Sequence, residues 1–241
     1  MHHALPPADL LHMQAEWLAP ARSQLLRRAA IAHRRRILDL GAGYGAVTPE
    51  LVRRGAGWVT AVDPQHPPLT HIAAAHRAAA TAQALPFAAH SFDLVFSQCV
   101  LLWVGDAALP TAVAEIHRVL QPGGVLVALE PDYSGLIEHP PELVSQPLWE
   151  AALTRCGAQP KIGRMLPPLL AQIGFQLHVR LLDTLTPPQA TRFAFLRSLP
   201  LTAVEQTALQ QIETQARHMP APWQQVALLP FFLIVAEKPT D

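Results

Sequence analysis

The sequence predicts an α/β fold of Rossmann-like type, a mostly parallel sheet with helices on both faces. Three observations predict it. Short apolar runs of strand length alternate with helical stretches through residues 36–131, the rhythm of a parallel sheet covered on both sides. A glycine-rich turn, Gly41-Ala42-Gly43-Tyr44-Gly45, joins the first of those runs to the helix that follows. The 241 residues are 50% hydrophobic and only 15% charged, enough to bury a sizeable core.

Each element has its own local warrant. Residues 8–33 carry helical spacing through Leu10, Leu11, Trp17, Leu18, Leu25, Leu26, Ala29 and Ile31, interrupted at Pro20. Arg34, Arg35 and Arg36 then lead, as a solvated approach, into the strand Ile37-Leu38-Asp39-Leu40. Beyond the glycine turn, residues 47–54 read as a helix with Pro49 in its tolerated first turn, stopped by Gly55 and Gly57. Trp58-Val59-Thr60-Ala61-Val62-Asp63 is a second strand ending in an acid. An alanine-rich helix is predicted over about 68–80, then a short strand near 81–84, ahead of Leu85-Pro86-Phe87. Residues 92–97 form another β run. Residues 108–120 are amphipathic through Val113, Ile116, Val119 and Leu120, and Pro122-Gly123-Gly124 separates them from a buried strand at 125–130. Past Pro131 the spacing predicts helices around 146–155 and 165–173 and a strand around 175–183. A helical stretch within 187–217 and a last strand at 231–237 complete the chain. No break in composition resembles a linker, so one domain over residues 1–241 is expected.

Composition removes several function classes. Lys+Arg and Asp+Glu both number 18, a balance that argues against nucleic-acid binding driven by counterion release. The longest apolar stretch, residues 227–236, contains Pro230 and falls short of the roughly 20 residues of a membrane span. The amino terminus has no basic region followed by an apolar run. Twelve scattered histidines and two cysteines show no ligand spacing, so no metal is expected. Cys99 and Cys156 cannot form a disulfide framework, which points to a reducing, cytoplasmic setting, and Cys99 reads as a small buried hydrophobe. No motif speaks to oligomeric state.

The glycine turn carries the chemistry. Glycines let a ligand approach the backbone, and the following helix offers free N–H groups. Asp63, twenty residues after Gly43, is placed to accept both hydroxyls of a ribose. A dinucleotide site fits this pattern as well, because Gly41-x-Gly43-x-x-Ala46 satisfies its permissive form. Asp39, two residues before the first glycine, tilts the reading: an acid there suits a ligand bearing an ammonium group. No helix separates Leu85-Pro86-Phe87 from Ser91-Phe92-Asp93-Leu94-Val95, and Glu115–Gln121 ends on the Pro-Gly-Gly turn before a strand.

Taken in order and at this spacing, the motifs from Ile37 to Pro131 resemble the class I S-adenosylmethionine-dependent methyltransferases. The likeness is to the broad type 11 group that includes the ubiquinone/menaquinone C-methyltransferases. The resemblance implies a seven-stranded sheet whose last strand is antiparallel. It implies an N-terminal helical cap over 1–35, a cofactor-binding half over 36–131 and a substrate-shaping half over 132–241. The cofactor would be S-adenosylmethionine and the product S-adenosylhomocysteine. Gly41, Ala42, Gly43 and Gly45 would wrap the methionine part, with Asp39 near its ammonium and Gln98 near its carboxylate. Asp63 would hold the ribose and Pro64 would flank the adenine. Thr81 and Gln83 depart from the family, which often has acids at those places, so the Ala82 backbone and the Gln83 amide would substitute on the adenine. A nicotinamide-dependent oxidoreductase and a noncatalytic cofactor-binding protein are the rival readings.

Methyl transfer demands alignment more than a dedicated catalytic residue, so no catalytic residue is assigned. Substrate contacts are expected from Trp103, after the fourth strand, and from Asp132, Tyr133 and His139, at the carboxyl edge of the fifth. Arg164 would meet an anionic acceptor. Tyr133 and His139 are the nearest candidates for a base if the acceptor, a small molecule, must lose a proton. Residues about 186–228 are expected to form a helical insertion over the acceptor pocket. Its apolar set is Phe193, Phe195, Leu196, Leu199, Val204, Leu209 and Ile212, with Trp223 returning over the sheet edge.

Overall fold

A computed structural model describes residues 5–65, 69, 70, 72, 76–182 and 184–240. Five strands run parallel: β1 (Arg36–Leu40), β2 (Trp58–Asp63), β3 (His76–Ala79), β4 (Phe92–Gln98) and β5 (Leu120–Pro131). Between them lie α1 (Ala8–Arg28) ahead of β1, α2 (Thr48–Arg54) after it, and α3 (Leu109–Val119) before β5. A short ribbon strand β6 (Ile137–His139), then α4 (Gln146–Arg155) and α5 (Ile162–Ile173), lead to β7 (Gln176–Leu181). The insertion holds α6 (Ala194–Ser198), α7 (Ala203–Arg217) and β8 (Val226–Leu228), and β9 (Phe231–Glu237) closes the sheet. The main sheet has seven strands in the order β3-β2-β1-β4-β5-β9-β7, with β9 antiparallel to both neighbours.

Strand alternation divides the core in two. Leu38, Leu40, Val95, Leu126 and Ile234 face one layer with Ile116 of α3 and Leu166 and Leu170 of α5. Ile37, Leu94, Phe96, Val127 and Val235 face the other with Leu18, Leu25 and Leu26 of α1 and Leu51 of α2. Helices therefore cover both faces, as the alternating pattern requires.

Several local expectations give way to tertiary structure. The alanine-rich segment does not stay helical: His76–Ala79 is an edge strand, with Thr60 opposite His76 and Asp63 opposite Ala79. Pairing with β2 overrides alanine's helix preference there. Residues 66–68, 71 and 73–75 of that expected helix lie outside the described residues. The strand expected at 81–84 is a turn, closed by the Ala84 N–H on the Thr81 carbonyl at 3.1 Å. Pro20 does not interrupt α1, because it sits on the solvent side, where water can take the carbonyl it leaves unpaired. β5 begins at Leu120, and its register against β4 shifts between Phe92 and Leu94, opposite the stretch that contains the Pro-Gly-Gly turn. The ribbon of β6 and β8 has no counterpart in the sequence reading. Phe193, Leu196, Leu199, Leu209 and Ile212 of the insertion are buried, whereas Val204 and Trp223 face solvent. Among the described residues no helix is long and apolar enough to cross a membrane.

Candidate active site

β1 lies between β2 and β4, so the chain leaves its carboxyl end in one direction and returns on the other side. The crevice opened there is where α/β sheets place ligands. The glycine turn folds over this edge, with the Gly41 and Ala42 N–H groups both donating to the Val62 carbonyl, at 2.7 and 3.0 Å. Gly41 holds φ +70°, and a Cβ there would stand 2.3 Å from Val100 Cγ2. Neither the dihedral nor the space suits any other residue.

Two acids organise the crevice. Asp63, at the tip of β2, accepts the Gly43 N–H on Oδ2 at 3.0 Å and the Gln65 N–H on Oδ1 at 2.8 Å. Burial pushes its carboxyl up, against those two hydrogen bonds. Asp39 is buried and accepts the Thr48 hydroxyl at 2.6 Å. Burial pushes it up to about 7, opposed by that hydroxyl and reinforced by the charge of Asp63.

One pocket gathers most of the expected positions. Asp39, Gly41, Ala42, Gly43, Asp63, Pro64, Gln98, Trp103 and Tyr133 all line it. Tyr133 is stacked on Trp149 of α4, with ring centroids 4.4 Å apart. Gly45 stays in the turn behind the wall, packed against Ile72. Ala82, Gln83, Asp132, His139 and Arg164 do not line the pocket among the described residues. Arg164 is instead ion-paired with the buried Asp132, donating to its Oδ1 at 3.0 Å, so α5 is tied to the end of β5. His139 is an exposed residue of β6, opposite Val226. Ala82 and Gln83 belong to the turn after β3. The Leu85–Phe87 stretch behind them is held by α3: Glu115 accepts the Leu85 N–H and Arg118 donates to the Leu85 and Phe87 carbonyls.

Four further residues shape the site without having been singled out. Arg22 of α1, itself buried, pairs with Glu50 at 2.8 Å and donates to Gln98 Oε1 at 3.0 Å, which fixes the Gln98 amide. Glu130 at the end of β5 accepts the Val100 and Leu101 N–H groups at 3.1 and 2.9 Å, carrying the turn that presents Cys99 to Trp103. Burial pushes its carboxyl up to about 7 against those bonds, and among the described residues Oε2 has no hydrogen-bond partner. Gln14 and Tyr44 also line the pocket. A charged residue inside an apolar periodic stretch, as at Arg22 and Glu130, is the one signal that marks such positions in advance.

Residues 38–128 match the family described as methyltransferase domain. The malonyl-[acyl-carrier protein] O-methyltransferase of Erwinia pyrifoliae is 36% identical over 118 residues, covering 47% of this chain and 44% of that protein. The chain spans less than half the length of the curated relatives compared, 18%, 44% and 34% of the first three. Among solved structures, the YcgJ protein of Bacillus subtilis has a TM-score of 0.67 at 15% identity, covering 92% of this chain and 99% of that one. The N-methyltransferase NodS of Bradyrhizobium japonicum, solved with S-adenosylhomocysteine, has a TM-score of 0.57 at 16% identity, covering 92% and 87%. None of these matches selects the ubiquinone/menaquinone subgroup. The sheet order of the chain, the glycine turn and the acid at the tip of β2 agree with the match of residues 38–128 to a methyltransferase domain, a likeness to the class I, S-adenosylmethionine-dependent enzymes.

Proposed function

We propose that the protein transfers the methyl group of S-adenosylmethionine to a small-molecule acceptor by in-line displacement, releasing S-adenosylhomocysteine. The observation that carries this is Asp63, held against the glycine turn by the Gly43 N–H at 3.0 Å and facing the pocket. Each of its oxygens takes one backbone N–H and keeps a lone pair for a ribose hydroxyl. Among the described residues a Cβ on Gly43 would meet only Leu5 and Leu11, at 3.7 and 3.8 Å, in ordinary contact, so the backbone there is not closed off from a ligand. Asp39 is a buried acid with no cation in hydrogen-bonding contact among the described residues, and a ligand ammonium would supply one. Gln98, its carbonyl already held by Arg22, keeps its NH₂ for a carboxylate. Gly41, Ala42 and Gly45 shape the turn around the methionine part. Pro64 and Gln65 flank the adenine side, where Ala82 and Gln83 would stand behind the described wall.

When bound, S-adenosylmethionine supplies a methyl carbon already activated by its sulfonium. The acceptor's lone pair bonds to that carbon as the carbon–sulfur bond breaks, and the bond's electrons return to sulfur. A proton leaves the acceptor where its nucleophilic atom carried one. What the chain contributes is alignment and exclusion of water. Trp103 and Tyr133 are assigned the acceptor contacts. The Asp132–Arg164 pair and His139 are left as support outside the wall. The free thiols of Cys99 and Cys156 fit a reducing cytoplasm.

Calorimetry with S-adenosylmethionine, S-adenosylhomocysteine and NAD tests the site. The first two should bind, NAD should not, and Asp63→Ala should weaken binding by about 1–3 kcal/mol through the unpaired ribose hydroxyls. Unchanged affinity in that variant removes the ribose assignment. Preferential NAD binding removes the reading altogether.

A further inference from the structure

The wall beyond the glycine turn says what kind of acceptor fits. On that side the pocket is lined by Cys99, Leu102, Trp103, Tyr133, Cys156 and Phe195. They come from four places in the chain: the turn after β4, the end of β5, the end of α4 and the insertion. None is ionised at neutral pH. Burial raises both thiols, and that of Cys99 lies well above its ordinary value. Among all the described lining residues there is no Lys, Arg or His, and the two carboxyl groups are those of Asp39 and Asp63. Arg22, which donates to the lining residue Gln98, is paired with Glu50, and Arg164 is paired with Asp132.

An anionic acceptor would therefore lose its water and find no protein cation along the described wall. That is the costly arrangement for a buried charge. The Erwinia relative is named for a malonyl acceptor, and a malonyl group attached at one end carries a free carboxylate. This wall offers that carboxylate no cation.

Tyr133 is the polar exception. Its ring is fixed by the stack on Trp149, at 4.4 Å and 27°, and its backbone N–H is anchored on the Pro160 carbonyl at 2.8 Å. Its hydroxyl makes no hydrogen bond among the described residues, yet it is not one of the sealed polar atoms without a partner. Tyr133 lines the pocket beside Cys99, and its hydroxyl is not among the atoms sealed away from the cavity. Burial pushes the phenol's pKa up, which keeps it a neutral donor.

We propose that the acceptor is an uncharged, largely apolar molecule of aromatic shape, whose polar atom is met by the Tyr133 hydroxyl between Trp103 and Phe195. This rests on the methyltransferase reading of the pocket.

The test uses the full chain saturated with S-adenosylhomocysteine, so that the cofactor region is filled. Three probes of one shape are titrated in: 1-naphthol, 1-naphthoate and 1-naphthylmethylammonium. Naphthol should bind at least about ten-fold more tightly than either ion, the ions bearing an uncompensated desolvation cost. Tyr133→Phe should weaken naphthol about five-fold, the worth of one neutral hydrogen bond, with S-adenosylhomocysteine affinity unchanged. Naphthoate or the ammonium probe matching naphthol overturns the proposal, as does absence of naphthol binding to the loaded protein. An unchanged naphthol affinity in Tyr133→Phe overturns the role of the hydroxyl. If the parent protein fails to bind S-adenosylhomocysteine, the methyltransferase reading falls and the acceptor class falls with it. If it binds but with the wrong selectivity, only the acceptor class is overturned.

Discussion

Replacing Asp39 with asparagine separates what a buried charge costs from what it does. The carboxyl titrates at about 7 in the folded protein against an ordinary value of 3.8, chiefly because burial disfavours its ionised form. Below the lower value both folded and unfolded chains hold the proton, and the full stability is present. Between the two values the folded chain keeps the proton that the unfolded chain has lost, so stability falls as pH rises, until the folded group ionises at about 7. At about 1.4 kcal/mol per pH unit, the whole displacement corresponds to roughly 4 kcal/mol, of which about 3 lies between pH ~5 and pH ~8. Asparagine keeps an acceptor for the Thr48 hydroxyl and cannot ionise. Urea denaturation of parent and Asp39→Asn at those two pH values is the assay. The variant should gain on the parent by about 3 kcal/mol on going from the lower to the higher, while Glu130 contributes equally to both proteins. Equal pH slopes would refute the reasoning. The same variant should bind S-adenosylhomocysteine more weakly at pH ~8, because the ammonium loses its counter-charge. In the parent, affinity should decline below pH ~7 as Asp39 takes up its proton.

Two further outcomes follow from geometry. Gly41→Ala should cost about 1–3 kcal/mol of stability, from φ +70° and the 2.3 Å approach to Val100 Cγ2. Adding Val100→Ala should recover only the steric part; full recovery in urea titrations would mean that the dihedral is unstrained. Phe195 brings the insertion to the pocket wall, so 1-naphthol added to the S-adenosylhomocysteine complex should slow amide exchange across residues 194–199. Exchange that responds to protein concentration alone would make this segment a self-association surface.

Much of the scaffold is legible in short stretches of sequence because its causes are local. Ile37–Leu40 and Trp58–Asp63 are apolar runs between turn residues, and each is a strand. Leu109–Val119 and Gln146–Arg155 repeat their apolar positions at helical spacing and are helices. Gly41 and Gly43 announce a turn of positive φ, and they adopt it. Asp39 and Asp63 stand at fixed distances from that turn along the chain, so their arrival at one pocket could be anticipated once a parallel sheet was predicted.

What could not be read is whatever depends on residues far apart in the chain. His76–Ala79 is rich in the residue that most favours helix, and only the free edge of β2 makes it a strand. Arg22 looks like one basic residue on a helix until folding brings it to Glu50, 28 positions away, and Gln98, 76 away. Asp132 and Arg164 read from sequence as two separate substrate contacts, and the fold pairs them with each other across 32 positions. Whether a charge reaches a pocket or is consumed by a partner behind its wall is decided by which side chains the fold brings together, and local periodicity carries no record of that. Sequence by itself determined the sheet, the glycine turn and the two acids at its edge. The uncharged acceptor wall, assembled from four separate stretches of chain, exists only once their side chains have packed into one surface.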